Sequence, residues 1–409
     1  MSLPFFARAS AARLRRRRAR RATLASMSPA YFGLTMATGI VSLAAHMLGP
    51  AAFSLAPLFA RVLFYLNVAL YAVLWILTLL RIMRHPARML EDLTHHLQGW
   101  GYFTMVAASS ILGIQFLEQA GNVKVAWAFW LLALGLWVCL NYAVFTALII
   151  KAHKPELKQG INGGWLLAVV ATQSVSSLSL FLVVDVPVEY RTLMAFLALS
   201  LWLWGGMLYI WMVSLIFYRD TFFRFSPGDM VPPYWINMGA MAISALTGAS
   251  MIEHAADVPY LDSLLPFVKG FTIFYWATGT WWIPLLVILE LWRHGYRHFP
   301  VQYDALYWGA VFPLGMYAAS TYRMDLMMGF GFLMPVAEGF LFVAIVAWVM
   351  TFVGLLTWVG RRVFARRQME RNGVALRRHG IRHGLGAVAQ HARHELPSRH
   401  RETGRAGHE

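Results

Sequence analysis

Between residues 29 and 360 the chain is a succession of long apolar runs, and the runs alternate in kind. Ten are read, at roughly 29–47, 58–80, 99–117, 125–149, 163–182, 192–217, 234–252, 268–291, 305–322 and 336–358. Most are long enough to cross a hydrocarbon core about 30 Å thick. The central stretches of the odd-numbered runs hold 42 Gly, Ala, Ser or Thr among 89 residues, whereas the even-numbered runs hold 31 among 121. Twelve of the 17 Trp fall in the even runs. Small residues let helices approach closely in lipid, and large aliphatic or aromatic side chains suit the acyl chains and the interface. The expected fold is therefore an all-α integral membrane protein, with ten transmembrane helices arranged as five helical hairpins around a central pore. The small-residue helices form its inner set and the bulky ones its jacket.

Only 13% of the 409 residues are charged and the mean hydropathy is +0.54. A water-soluble domain carries roughly 25% charged residues, so that class is excluded. A net charge of +16 would ordinarily raise the question of nucleic acid. Here 30 of the 35 Lys and Arg lie in the two tails and in alternate loops, which is the pattern of loops retained in the cytoplasm. The expectation is a multi-pass protein of the cell (inner) membrane with both termini cytoplasmic, the lipid bilayer as its partner and no nucleic acid. Residues 1–28 are expected to be a basic cytoplasmic tail, 29–360 the membrane domain, and 361–409 a basic, His-rich cytoplasmic tail without fixed structure. The acid-free stretch 8-RASAARLRRRRARR fits an anchor beside anionic headgroups, with a transit peptide as the other reading. Cys139 is the lone cysteine, so no intramolecular disulfide or Cys-based metal site is available. No cofactor and no metal is called for.

The odd runs begin alike, as 31-YFGLTM, 101-GYFTMV, 164-GWLLAV, 234-YWINMG and 307-YWGAVF. Their middles are almost uncharged, and their polar groups are hydroxyls and amides. Thr35, Thr38, Ser42, Ser109, Thr172, Ser176, Ser244, Thr247 and Ser320 are candidates to line a pathway that binds ions loosely enough to release them. The competing reading has such hydroxyls bonding to their own helix or to a neighbour. Within the ninth run Pro313 follows Phe312. A mid-helix proline costs about 3 kcal/mol in water, and breaks of this kind persist in membranes where the freed backbone is buried or faces water. A kink there points Phe312 toward the axis as a gate, unless that ring simply packs between helices. Aligning the repeats puts Leu34, Phe103, Leu167 and Ile236 level with Phe312 as a pore ring. Arg323 ends an inner run and is a candidate for the pore mouth, while Arg61, Lys124, Arg191 and Lys269 serve equally as interface anchors or as attractors of anions. Glu253 and His254 are candidates for a proton relay at the same end.

These residues carry a resemblance. The strings 29-PAYFGLTMATGI in the first run and 308-WGAVFPLGM in the ninth, set within ten alternating runs, are similar to the tellurite-resistance/C4-dicarboxylate transporter family, which includes TehA-like proteins and the plant slow anion channels. The resemblance covers about residues 28–360. It implies five hairpins around a pore, a homotrimer with one pore per subunit, and small anions as substrates: dicarboxylates, tellurite- or sulfite-type oxyanions, or inorganic anions. It further implies that Phe312 occludes the pore. The chain departs from some bacterial members in having Thr35 where their first helix carries a proline. A proton-coupled dicarboxylate carrier of the same fold is the alternative. An enzyme would need paired ionisable or metal-binding groups inside the spans. The pairs Glu290/His294 and Glu91/His95 lie only at their edges, so no enzyme is expected. A sensory scaffold remains the third class.

Overall fold

In a bilayer the hydrophobic effect does not drive one apolar helix onto another, so helices associate where small residues permit close packing. A computed structural model describes residues 24–300 and 302–362, and in it the small-residue helices take the interior. They are α1 (Gly33–Leu48), α3 (Phe103–Ala120), α5 (Leu167–Phe181), α7 (Ile236–Glu253) and α9 (Trp308–Met328). Between them run α2 (Ala56–Arg84), α4 (Val123–Ile150), α6 (Val188–Phe222), α8 (Leu265–Glu290) and α10 (Met334–Arg362). The apolar windows of the first four inner spans are 89%, 89%, 94% and 89% buried, whereas those of the five outer spans are 33%, 28%, 56%, 28% and 17% buried.

The chain forms two compact units, Met1–Phe352 and Val353–Glu409. Of the second, residues 353–362 are described and are helical. The two basic tails of the sequence reading fall almost wholly outside the described residues. Among the described residues there is no strand, and nine helices are long and apolar enough to cross a membrane. The ninth expected span, α9, has 21 residues, but Gly, Tyr, Pro and the pair Arg323 and Asp325 dilute its apolar content.

Neighbouring inner helices pack α1 on α3, α3 on α5, α5 on α7, α7 on α9, and α9 back on α1. The ring of contacts closes. Glycines set its closest approaches: a Cβ on Gly239 of α7 would lie 2.7 Å from Pro313 Cγ, and one on Gly315 of α9 would lie 3.1 Å from Val41 Cγ2 of α1. Pro313 thus sits inside an unbroken α9, its ring lodged against a glycine.

Each outer helix is bonded to the inner helix that follows it in the chain. Tyr71 of α2 meets Ser109 of α3 at 2.7 Å; the indoles of Trp130 and Trp137 in α4 donate to Ser179 and Thr172 of α5 at 2.8 Å each. Trp202 of α6 donates to the Ser244 carbonyl of α7 at 2.8 Å, and Trp276 of α8 to Thr321 of α9 at 2.9 Å. The pattern wraps round, since Trp348 of α10 donates to Thr38 of α1 at 3.0 Å. This last bond spans 310 residues and joins the two ends of the ring. Trp348→Phe is expected to lower the stability of the purified, detergent-solubilised protein by about 0.6 kcal/mol, the average for hydrogen bonds between membrane helices, and by no more than about 1.7 kcal/mol. Thr38→Val should cost a similar amount and the double variant no more than either. Thermal melts check this, and fully additive losses would show that the two groups do not share the bond.

Candidate functional site

Every inner helix is entered through a short, tight turn: Pro29–Phe32, Gly99–Tyr102, Gly163–Leu166, Pro232–Trp235 and Ala305–Tyr307. Local sequence explains these turns. Prolines occupy the first positions of two of them, where a missing N–H does no harm. Side chains cap three turns, the first of which also carries proline: Ser28 accepts from the Ala30 amide at 3.2 Å, Asn162 from Gly164 at 2.8 Å and Asp304 from Leu306 at 2.9 Å. The five turns contact one another in the same cyclic order as the helices. A Cβ on Gly101 would lie 2.9 Å from the Ala30 amide, and one on Gly163 would lie 2.5 Å from the Pro233 carbonyl oxygen, so these glycines are what let the collar close.

A cavity of about 750 Å³ opens at this collar. All five turns or their caps contribute to its wall, among them Ala30, Trp100, Asn162, Pro233 and Leu306. The five inner helices therefore point their N-termini at one chamber. Each such terminus carries roughly half a positive charge, a setting that favours anions. Arg88, Asp92 and Asp304 are the charged side chains in its wall.

Buried arginines fasten the collar to the outer helices. Arg81 pairs with Asp92 and donates to the Ala25 carbonyl at 3.1 Å. Arg219 pairs with Asp229 at 2.9 Å and Asp220 at 3.1 Å, beside the Tyr234 hydroxyl at 3.5 Å. Burial works against the charge on Asp229, yet the Ser226 hydroxyl and amide together with Arg219 hold its carboxyl below the ordinary range. Arg293 lies 3.9 Å from Glu290 and stacks over Phe299. His294 is 3.3 Å from Glu290, an ordinary pair four residues apart at a helix end.

Deeper on the axis a second, much smaller void of about 10 Å³ is lined by all five inner helices. Its wall comprises Ile40, Leu43 and Met47 of α1, Ile111 and Ile114 of α3, Ser174, Ser177 and Phe181 of α5, Ile243 and Leu246 of α7, and Met316 of α9. The nine hydroxyl residues selected from the sequence are all fully buried, and none of them lines this void. Thr38, Ser109 and Thr172 take part in the outer-helix bonds described above. Ser42 donates to the Ala60 carbonyl and Ser176 to Ala198, again across to an outer helix. Thr35, Ser244, Thr247 and Ser320 donate to carbonyls of their own turn. Ser177, by contrast, faces the void with a hydroxyl that has no protein partner. The sequence offered six polar positions in α5 with no period to separate its axial face from its outer one.

Phe103, Leu167 and Ile236 each open an α-helix directly after its entry turn, and Leu34 lies one residue past that point. Phe312 lies four residues past it, about one turn or 6 Å deeper. Phe312 is 0% exposed, and the equivalent positions elsewhere are Ala37, Ala107, Ala171 and Ala240, each buried. At its own depth, then, Phe312 is matched by four alanines. Leu167 reaches the large cavity, and Phe103 stacks on Trp100 at 5.9 Å. The alignment placed Phe312 with the helix openings because the Thr-Met steps anchored only the first two repeats. Arg323 stands at the other end of the ring, paired with Glu253 of α7 and 5.3 Å from the Phe181 ring.

The family model described as voltage-dependent anion channel (SLAC1) matches residues 26–356. The chain belongs to this family. Among curated relatives, an uncharacterized membrane protein of Mycobacterium tuberculosis is 41% identical over 119 residues, which is 29% of this chain; the chain spans 60% of that protein's length. An uncharacterized transporter of Methanocaldococcus jannaschii is 25% identical over 66% of this chain and 76% of its own. A sulfite efflux pump of Trichophyton rubrum is 26% identical over 74% of this chain and 82% of its own. Family members are transporters and channels, not enzymes. Among the described residues no group of three or more His, Cys, Asp or Glu is placed to hold a metal ion.

The two chambers differ in their expected access to water. In a Cys139→Ser background, Leu167→Cys in the wall of the large cavity should react readily with a charged thiol reagent. Ile111→Cys at the small void should react at least about tenfold more slowly, as burial of a thiol demands. Equal rates, read by mass spectrometry, would show that the axis is open between the two chambers.

Proposed function

We propose that this family member passes small anions along the axis of the inner ring, with the chain crossing the membrane ten times. The carrying observation is the closed ring of five small-residue helices whose N-termini converge on a chamber of about 750 Å³. Ions drawn into that chamber by the helix ends meet no fixed charge on the apolar walls of the inner void, so they are not trapped there. Phe312 is the occluding group. It lies one turn inside the collar, it is fully buried, and it stands where the other four inner helices carry alanine. Pro313 supports it by seating against Gly239. Arg323 marks the far mouth.

Both termini and the collar face the cytoplasm in this reading, because the loops at that end carry most of the Lys and Arg. The membrane is the cell (inner) membrane, the pore domain runs over 29–360 between two basic tails, and the assembly is a homotrimer with one pathway per subunit. Sulfite-type oxyanions lead the substrate class, since a relative bears the name of a sulfite efflux pump; tellurite, C4-dicarboxylates and inorganic anions follow. A proton-coupled carrier of the same fold is the second reading. It is favoured by the narrowing of the space from about 750 Å³ at the collar to about 10 Å³ deeper in the ring.

The experiment is anion flux into proteoliposomes of wild type and Phe312→Ala. The variant is expected to raise sulfite or chloride flux several-fold while cation flux stays at background. Unchanged flux would remove Phe312 from the pathway, and cation preference would overturn the substrate class. Proton uptake that follows anion entry in a fixed ratio would select the carrier.

A further inference from the structure

The collar end of the ring opens into the cavity of about 750 Å³, and deeper between the inner helices the space narrows to about 10 Å³. Three inner helices finish at the end opposite the collar with side chains that hold one another. Phe181, the last residue of α5, lines the small axial void and is 4% exposed. The Arg323 guanidinium of α9 lies over its ring with 5.3 Å between the guanidinium carbon and the ring centroid. Arg323 is in turn paired through Nη2 with Glu253 of α7. Its side chain is 12% exposed and its Nε–H meets no protein acceptor. Such a chain of contacts runs from carboxylate to guanidinium to aromatic face, each link strengthened by partial burial.

We infer that Arg323, positioned by Glu253, clamps Phe181 over the far end of the axis and forms a second closure in series with Phe312. This rests on the axial pathway proposed above. The geometry explains why an inner helix tolerates a half-buried arginine in its last two turns. Paired with Glu253 it presents almost no net charge, and its remaining N–H is left for an anion once the ring moves aside. Arg323 and Glu253 are positioning residues for Phe181, which is the obstructing group. An isolated pore-mouth arginine would serve as a standing anion attractor and would need neither the carboxylate nor the ring.

Two closures in series make a distinctive pattern of non-additivity. Phe312→Ala and Phe181→Ala alone leave one barrier standing, so each raises proteoliposome chloride or sulfite flux modestly. The double variant is expected to exceed the product of the two single effects by at least about tenfold, equivalent to ~1.4 kcal/mol of coupling. Glu253→Gln in the Phe312→Ala background should reproduce much of that gain, because the guanidinium loses its anchor without any loss of side-chain volume. That arm also stands in if Phe181→Ala does not fold. Should Phe312→Ala conduct as well as both double variants, the second closure is overturned while the axial pathway survives. Should no variant carry anions above empty liposomes, the pathway itself fails and the closure with it.

Discussion

Everything in this molecule depends on how closely five helices can approach around one line. Helices bearing Leu and Phe on every side stand apart in lipid with acyl chains between them. Helices that carry Gly, Ala and Ser reach van der Waals contact between backbones. The ring achieves this at Gly239 against Pro313, at Gly315 against Val41, and in the collar at Gly101 and Gly163. Once the backbones touch, the axis is left with room only for what the inward side chains do not fill. That remainder is a chamber of about 750 Å³ where the helices begin and about 10 Å³ where Ile, Leu and Met meet.

The same constraint decides the role of the polar residues. A hydroxyl buried in lipid without a partner costs free energy, and each inner helix has few places to satisfy one. Bonding back one turn suffices for Thr35, Ser244, Thr247 and Ser320. Thr38 and Thr172 receive an indole N–H from the jacket, and Thr172 also donates back to the Ala168 carbonyl. The jacket tryptophans thereby do two jobs. Their rings meet lipid or neighbouring aromatic rings, and their single donor fixes the angular position of the next hairpin. Because the pattern is cyclic, rotation of any one inner helix would break a bond on its outer side.

Much of the fold was legible in the sequence because small and bulky spans alternate, and that composition reports directly on which helices are interior. The hairpin unit and the interior place of the small-residue helices follow from it. Finer placement did not, for a physical reason. Inner helices are buried on every side, so no amphipathic period distinguishes the axial face from the jacket face. Ser176 and Ser177 are adjacent, equally buried and chemically identical, yet one bonds to Ala198 across the jacket interface and the other lines the void. The depth of Phe312 was obscured in the same way. It is set by where α9 leaves its entry turn, and the repeat strings do not mark that point.

On the proposed axial pathway, the two ends of the ring would handle ions by different means. At the collar the favourable contribution for an anion would come from backbone ends, set against Asp304 and the Arg81-paired Asp92 in the same wall, and backbone ends cannot move away when an ion leaves. At the far end that contribution would come from a side chain, and that side chain is neutralised by Glu253 while the ring is closed. Under the proposal, attraction at the collar would be permanent and attraction at the far mouth conditional on displacement of Phe181. Such an arrangement would admit anions to the chamber at all times yet give them a second foothold only when the exit opens. An ion would then be held weakly at one end until the other end is ready to receive it, which is what conduction through a narrow apolar passage requires.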